Sequence, residues 1–292
     1  QLVLGMSVTA DGSVPLVHEI YNGNQTDDTP HWQNHRRIRK LLSRIDFIYV
    51  ADSKLATDYN LKKISSCGGK FVSIMPRTWK EDKTFREQVR QGKICWQHLL
   101  SKKNNRKPHS KTDEYQLAEG KHTTSQGYVL LWIYSTQKAE QDSDTRQRHL
   151  QQAMAALHEL QGKLNRYKLK RLQEIQRRVR KILKENQCGG LISFQIHTHR
   201  QYTIKHPKPG RPSQKAALKE KKTWKKFFSL IFRVDDAAVQ SEAMTDGVFP
   251  LITNLEGGTY PAKRIQEIYK FQPFLEKRNS QLPQKRLTPR KF

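Results

Sequence analysis

Residues Phe47-Ile48-Tyr49-Val50-Ala51 form a short, unbroken apolar run that ends in Asp52. A run this short, with no polar alternation, reads as a strand covered on both faces, and such strands belong to sheets flanked by helices. The neighbouring segments then have to supply the covering layers. Residues 29–42 carry Trp32, Ile38, Leu41 and Leu42 among basic residues, which suits an amphipathic helix. Residues 58–66 read as a second helix stopped by Cys67-Gly68-Gly69, and residues 70–76 return as a strand. Upstream, residues 2–9 and 14–21 are strand-like and flank Asp11-Gly12, a good hairpin turn. Strand, strand, helix, strand, helix, strand predicts a mixed α/β sheet over residues 1–76.

Residues 77–127 are polar and poorly patterned, with a loop expected at 101–110, and residues 128–134 are a clear strand. A proline-free helical region follows at about 143–186, with Leu150, Met154, Leu157, Leu160, Leu164, Leu172, Ile175, Val179 and Ile182 mostly three or four apart. The spacing drifts between Gly162 and Lys168, so both one long helix and two antiparallel helices fit. The apolar face either packs on its own domain or forms an intermolecular coiled coil, which would make a homodimer. Residues 191–197, 223–234 and 247–253 are β-like, and a proline-containing basic segment, 205–226, separates the first two. Residues 261–282 read as helical, with Pro273 kinking that helix or starting a new one.

Composition narrows the partner. The 292 residues hold 54 Lys and Arg against 27 Asp and Glu, a formal net charge of +27, with 35% apolar and 9% aromatic residues. No stretch approaches the roughly 20 apolar residues of a membrane span, and the apolar runs argue against a wholly disordered polycation. A folded polyanion-binding protein remains, with nucleic acid as the expected polyanion. Cys67, Cys95 and Cys188 lie far apart with no CxxC pair, which fits a reducing, cytoplasmic compartment. The chain opens on Gln1 and enters a strand-like run at once, so it is expected to be an internal piece of a longer protein.

Two carboxylates stand out. Asp52 follows a buried strand, where α/β proteins place ligands; a metal ligand and a helix N-cap are both open for it. Glu276 shares a helical spacing with Tyr269 and Gln272 and is surrounded by Lys270, Lys277 and Arg278. That setting suits an acid beside a phosphodiester, and equally an ordinary charged surface. His197, His199, Cys188 and His206 offer ligand types without a zinc spacing. No GxxxxGK[ST] or strand-linked GxGxxG occurs, which speaks against a nucleotide cofactor. Residues 163–184 hold ten Lys or Arg and one acid, and residues 277–292 hold six and none. Such runs favour phosphate-backbone contact, which positions a protein on DNA without reading its sequence.

A set of phrases gives these residues a context. Thr9-Ala10-Asp11-Gly12-Ser13-Val14-Pro15-Leu16, Gly23-Asn24-Gln25-Thr26-Asp27, Phe47-Ile48-Tyr49-Val50-Ala51-Asp52-Ser53-Lys54-Leu55 and Gly68-Gly69-Lys70-Phe71-Val72-Ser73-Ile74-Met75-Pro76-Arg77 come first. Gly210-Arg211-Pro212, Asp246-Gly247-Val248-Phe249-Pro250-Leu251-Ile252-Thr253-Asn254 and Tyr269-Lys270-Phe271-Gln272-Pro273-Phe274-Leu275-Glu276-Lys277-Arg278 follow. In this order, across nearly the whole chain, they resemble the DDE transposases of bacterial insertion sequences, in the broad IS-four group. The resemblance implies an RNase H-like mixed sheet, with core segments 1–76 and 261–292. Between them it implies a large α+β insertion, 77–260, holding the helical pair (143–186) and the β-like runs of 191–254. It further implies that Asp52 and Glu276 are catalytic metal ligands. A first Asp, on the central first strand, would precede Gln1, so that strand is expected to be absent from this chain. In such enzymes carboxylates hold two Mg²⁺ ions (Mn²⁺ substituting) about 3.5–4 Å apart, and hard oxygen ligands suit those ions. The implied reaction is cutting and joining of double-stranded DNA at element ends, in a bacterial cytoplasm. Tyr269, Gln272, Lys277, Arg278, Lys54 and Arg77 are the implied DNA-binding residues. Gln272 stands where the family signature has Arg, and Asn279 and Pro283 depart from an expected aromatic and Lys. A non-catalytic DNA-binding remnant is the alternative.

Overall fold

The computed structural model describes residues 2–12, 14–22, 30–103, 112–205 and 221–270. The first two strands, β1 (Leu2–Val8) and β2 (Pro15–Asn22), form the expected antiparallel hairpin, closed where the Thr9 N–H donates to the Val14 carbonyl at 3.0 Å. Helix α1 (Pro30–Leu42) starts on proline, whose fixed φ suits a first helical position, and buries His35 and Ile38. Strand β3 (Ile48–Val50), helix α2 (Asp58–Ser66) and strand β4 (Lys70–Ile74) follow, and β3 and β4 run parallel with Tyr49 opposite Phe71. Gly68, at φ 78°, turns the chain out of α2 in the left-handed region that glycine tolerates.

Beyond residue 77 the structure departs from the sequence expectation. The stretch read as unpatterned contains helix α3 (Lys80–Arg90) and strands β5 (Trp96–Lys102), β6 (Asp113–Ala118) and β7 (His122–Thr123). Strand β8 (Val129–Ser135) is where it was expected, and helix α4 (Thr136–Gly162) begins earlier than predicted. That early start has a local cause. Asp113 accepts from the Ser135 hydroxyl (2.9 Å), the Thr136 hydroxyl (3.2 Å) and the Gln137 N–H (3.0 Å), so it caps the helix from a neighbouring strand. Helix α5 (Leu172–Glu185) follows a 3-10 turn at Tyr167–Lys170, so the helical region is two helices. Strands β9 (Ile192–Lys205) and β10 (Lys221–Val234), helix α6 (Asp236–Ala243), strand β11 (Val248–Thr253) and helix α7 (Ala262–Tyr269) complete the described chain.

Among the described residues the main sheet runs β3-β4-β11-β8-β6-β5, with β7 beside β8, and only β3 and β4 are parallel. The protein is therefore mixed α/β. Alternation sends successive residues of the inner strands to opposite faces. Phe71, Trp132 and Ile252 join one apolar cluster with Ile38, Leu61, Ile64 and Phe85 of the first three helices. Val72, Ile133 and Leu251 join a second cluster with Ile265 of α7. All six residues of β11 are buried, as expected for a strand covered on both sides. Phe85 and Trp132 stack with ring centroids 3.9 Å apart, and Arg86 donates to Asp82 (2.8 Å) and to the Val248 carbonyl (3.0 Å), which fixes α3 to the sheet.

The chain divides into two compact units, residues 1–139 with 247–292, and residues 140–246. The sequence reading placed an insertion at 77–260; the unit separate from the sheet is shorter, because β5 to β8 and β11 pair into the same sheet as β3 and β4. In that second unit α4 and α5 bury Ala153, Leu157, Leu160, Ile175, Val179 and Leu183 against Ile192, Phe228 and Leu230 of the β9–β10 hairpin. The helical pair thus packs on its own domain. Among the described residues no helix is long and apolar enough to cross a membrane.

Candidate site at the carboxyl ends of strands β3 and β4

Strand β3 ends in a turn tied down from several sides. The Asp52 carbonyl accepts from the Ser73 hydroxyl at 2.6 Å and from the Leu55 N–H at 3.1 Å. Leu55 and Ala56, both fully buried, anchor the far side of the turn. The Asp52 carboxylate is exposed, and its Oδ1 accepts from the Lys54 N–H at 3.0 Å. Of the two roles open for Asp52, the helix N-cap is taken by Thr57, whose hydroxyl accepts from the Asn60 N–H at 3.3 Å. Asp52 instead braces its own turn and presents a carboxylate to solvent from a backbone with little freedom to move. Its negative charge adds to burial in pushing the phenol of Tyr49, on the same strand, up to about 12.

Beside this turn opens a cleft of about 730 Å³, bounded by Lys54, Thr57, Trp79, Lys80 and the Ser125-Gln126 turn. The acids in the first turns of α2 and α3 are engaged across it. Gln126 donates to Asp58 at 3.1 Å, and the Ser125 N–H donates to Glu81 at 3.2 Å. Lys54 and Lys80 stand exposed on its wall, so the cleft offers cations next to the Asp52 carboxylate. Lys80 went unnoticed in the sequence; the signal was Trp79-Lys80-Glu81-Asp82 after Pro76, with acids in a first helical turn.

Of the predicted site residues, Asp52, Lys54 and Arg77 gather at the ends of the parallel strands, and Lys54 and Arg77 are exposed. Tyr269, the last residue of α7, is half-buried against the apolar cluster that holds Val72 and Ile265. Gln272, Glu276, Lys277 and Arg278 lie outside the described residues. Among the described residues no group of three or more His, Cys, Asp or Glu could hold a metal ion. The described residues therefore do not fit Mg²⁺ or Mn²⁺ on their own. Two of the candidate ligands serve local needs: His199 Nε2 is 2.7 Å from the Ser229 hydroxyl, and the buried Cys188 thiol donates to the Asn186 carbonyl at 3.2 Å. His206 lies outside the described residues.

Compared with known proteins, the chain matches no family model, no curated protein and no solved structure.

Proposed function

We propose that this chain acts on double-stranded DNA in the manner of a DDE-type transposase, with Asp52 as one acidic ligand of a Mg²⁺-dependent phosphodiester site. The observation that carries the reading is the Asp52 carboxylate, exposed at the carboxyl end of a parallel strand pair and flanked by a cleft bearing Lys54 and Lys80. Ligand sites of α/β proteins gather at such strand ends, and cations there suit a phosphodiester. Sheet topology supports an RNase H-like core. Among the described residues the outer edge of β3 pairs with no strand, and β1–β2 is a separate two-stranded sheet. In this reading a strand on that edge of β3 brings the first Asp.

Glu276, on the segment after α7, is the partner acid in this reading. The second reading, a DNA-binding protein without catalysis, is favoured by Asp52 standing without a metal-binding group of three ligands among the described residues. Titrating Mg²⁺ or Mn²⁺ into wild type and Asp52→Asn, with duplex DNA present, separates them. The catalytic reading expects metal affinity about tenfold weaker or worse in the variant, since the ligand must be a deprotonated carboxylate, at unchanged DNA affinity. Identical metal binding in the two proteins removes it and leaves the DNA-binding one.

A further inference from the structure

Strands β9 and β10 pair residue against residue over their whole length, from Ile192 opposite Val234 to Lys205 opposite Lys221. Fourteen residues per strand make a ribbon about 45 Å long. Only its inner half has a core to cover. Ile192, Phe194 and Ile196, with Val234, Phe232 and Leu230 across from them and Phe228 opposite Thr198, face the cluster built with α4 and α5. That cluster stops at Phe228, whose N–H donates to Asn165 Oδ1 at 2.7 Å and whose carbonyl accepts from Asn165 Nδ2 at 2.9 Å.

Alternation places Arg200, Tyr202, Trp224 and Lys226 on the same face, further out. In register, Arg200 lies opposite Lys226 and Tyr202 opposite Trp224. Tyr202 is 53% exposed and Trp224 62%, with their rings packed edge to face at 5.5 Å between centroids. Arg200 and Lys226 are exposed as well. The Asn165 clamp also brings up the basic turn between α4 and α5, with Arg166, Lys168 and Lys170, at the point where the core ends. A face serving only the fold would be polar once it passed its core, because Trp and Tyr carry the largest apolar areas to leave in water.

The chemistry of this surface selects its partner. The two strands hold seven Lys or Arg and no acid, which calls for a polyanion. Two exposed rings call for flat π faces. A duplex turns the edges of its bases toward a protein, whereas an unpaired strand offers both phosphates and base faces. We propose that the outer half of the β9–β10 hairpin binds single-stranded nucleic acid, with Tyr202 and Trp224 stacking on bases and Arg200 and Lys226 taking phosphates. This goes beyond the reading of the Asp52 site and does not depend on it.

The test uses the full chain in EDTA, so that failure of the metal site leaves the result unaffected. Trp224 is the exposed one of the five tryptophans; Trp32, Trp79 and Trp96 are half-buried and Trp132 is buried. An oligothymidylate of about 15 nucleotides is titrated while acrylamide quenching of tryptophan fluorescence is followed, and its affinity is measured by anisotropy. Bound DNA should shield the quenchable fraction. Trp224→Ala and Tyr202→Ala should each weaken binding by about 5- to 100-fold, the range for loss of one stacked base, and Trp224→Phe should restore most of it. Arg200→Gln with Lys226→Gln should lower the salt slope by about 1.4, for two single-strand phosphates. Wild-type affinity in both alanine variants, unchanged quenching at saturation, or an equal loss of affinity for a duplex of the same length in Trp224→Ala overturns the proposal. So does a dimer in sedimentation that Trp224→Ala dissolves, since the rings would then cover a second copy of the chain.

Discussion

Lowering the pH should weaken this fold through one side chain, His35 of α1. It is fully buried (0% exposed), and neither ring nitrogen has a hydrogen-bond partner among the described residues. Its ring lies nearly parallel to Trp32, with centroids 5.9 Å apart, against Phe47 at 5.1 Å and edge-on to Tyr49 at 5.7 Å. Burial in this aromatic box, with the nearby Arg39 charge, lowers its pKa from 6.5 to about 4. The unfolded chain therefore binds the proton more tightly, and stability must fall as the pH drops. The contribution is fully present above pH 6.5 and is lost from there down through the folded value near 4. A shift of about 2.5 units at ~1.36 kcal/mol each gives roughly 3 kcal/mol lost by pH 4. His35→Phe keeps an aromatic ring without a proton to gain. Urea unfolding at pH 7.5 and pH 4 should show wild type losing about 3 kcal/mol more than the variant between the two, and taking that difference cancels any packing cost of the new ring. Equal losses in the two proteins would refute the argument, because the box would then be open to water or would relax to admit the charge.

Arg86→Met should destabilise the protein by about 3–5 kcal/mol, as it leaves the buried Asp82 carboxylate without its cation. Adding Asp82→Leu should recover most of that in chemical denaturation. Asn254→Ala removes the acceptor of the Phe71 N–H (2.9 Å) and a donor to the Gly69 carbonyl (2.8 Å), leaving two backbone groups unpaired between β4 and the end of β11. At about 1–3 kcal/mol for each buried group left unsatisfied, the melting temperature should drop measurably, whereas Asn254→Asp should lose mainly the donor.

The legible elements share a physical property. Strands β3, β4, β8 and β11 are apolar on successive residues because both faces are covered, and α1, α2 and α5 each carry one apolar face; either pattern survives without tertiary context. Strand β5 escaped notice because it lies at the sheet edge, where exposed and half-buried positions alternate irregularly and polar side chains meet water. In the outer hairpin, residues 223–226 fell inside an expected β-like run, but β9 beyond His197 escaped for a different reason. Lys225, Lys226, Arg200 and Gln201 bury nothing, and they are held in strands by pairing with each other rather than by a core. The candidate site was half legible. Asp52 could be placed at a strand end, but Thr57 as the helix cap and Lys80 on the cleft wall depended on how the chain turned after β3 and β4.

By itself, the amino-acid sequence determined that a strand covered on both faces lies among amphipathic helices, and that the surface is strongly cationic. Both follow from side-chain chemistry at short range. Only the tertiary structure decided which strands are neighbours: β11, near the end of the described chain, inserts between β4 and β8 and reaches Leu251 across to Ile74. A period of two says which face of a strand is buried but is silent on the partner along its edge. That choice is made by the whole sheet as it closes its hydrogen bonds, and it is what sets Asp52 beside a cleft walled by residues from three distant segments.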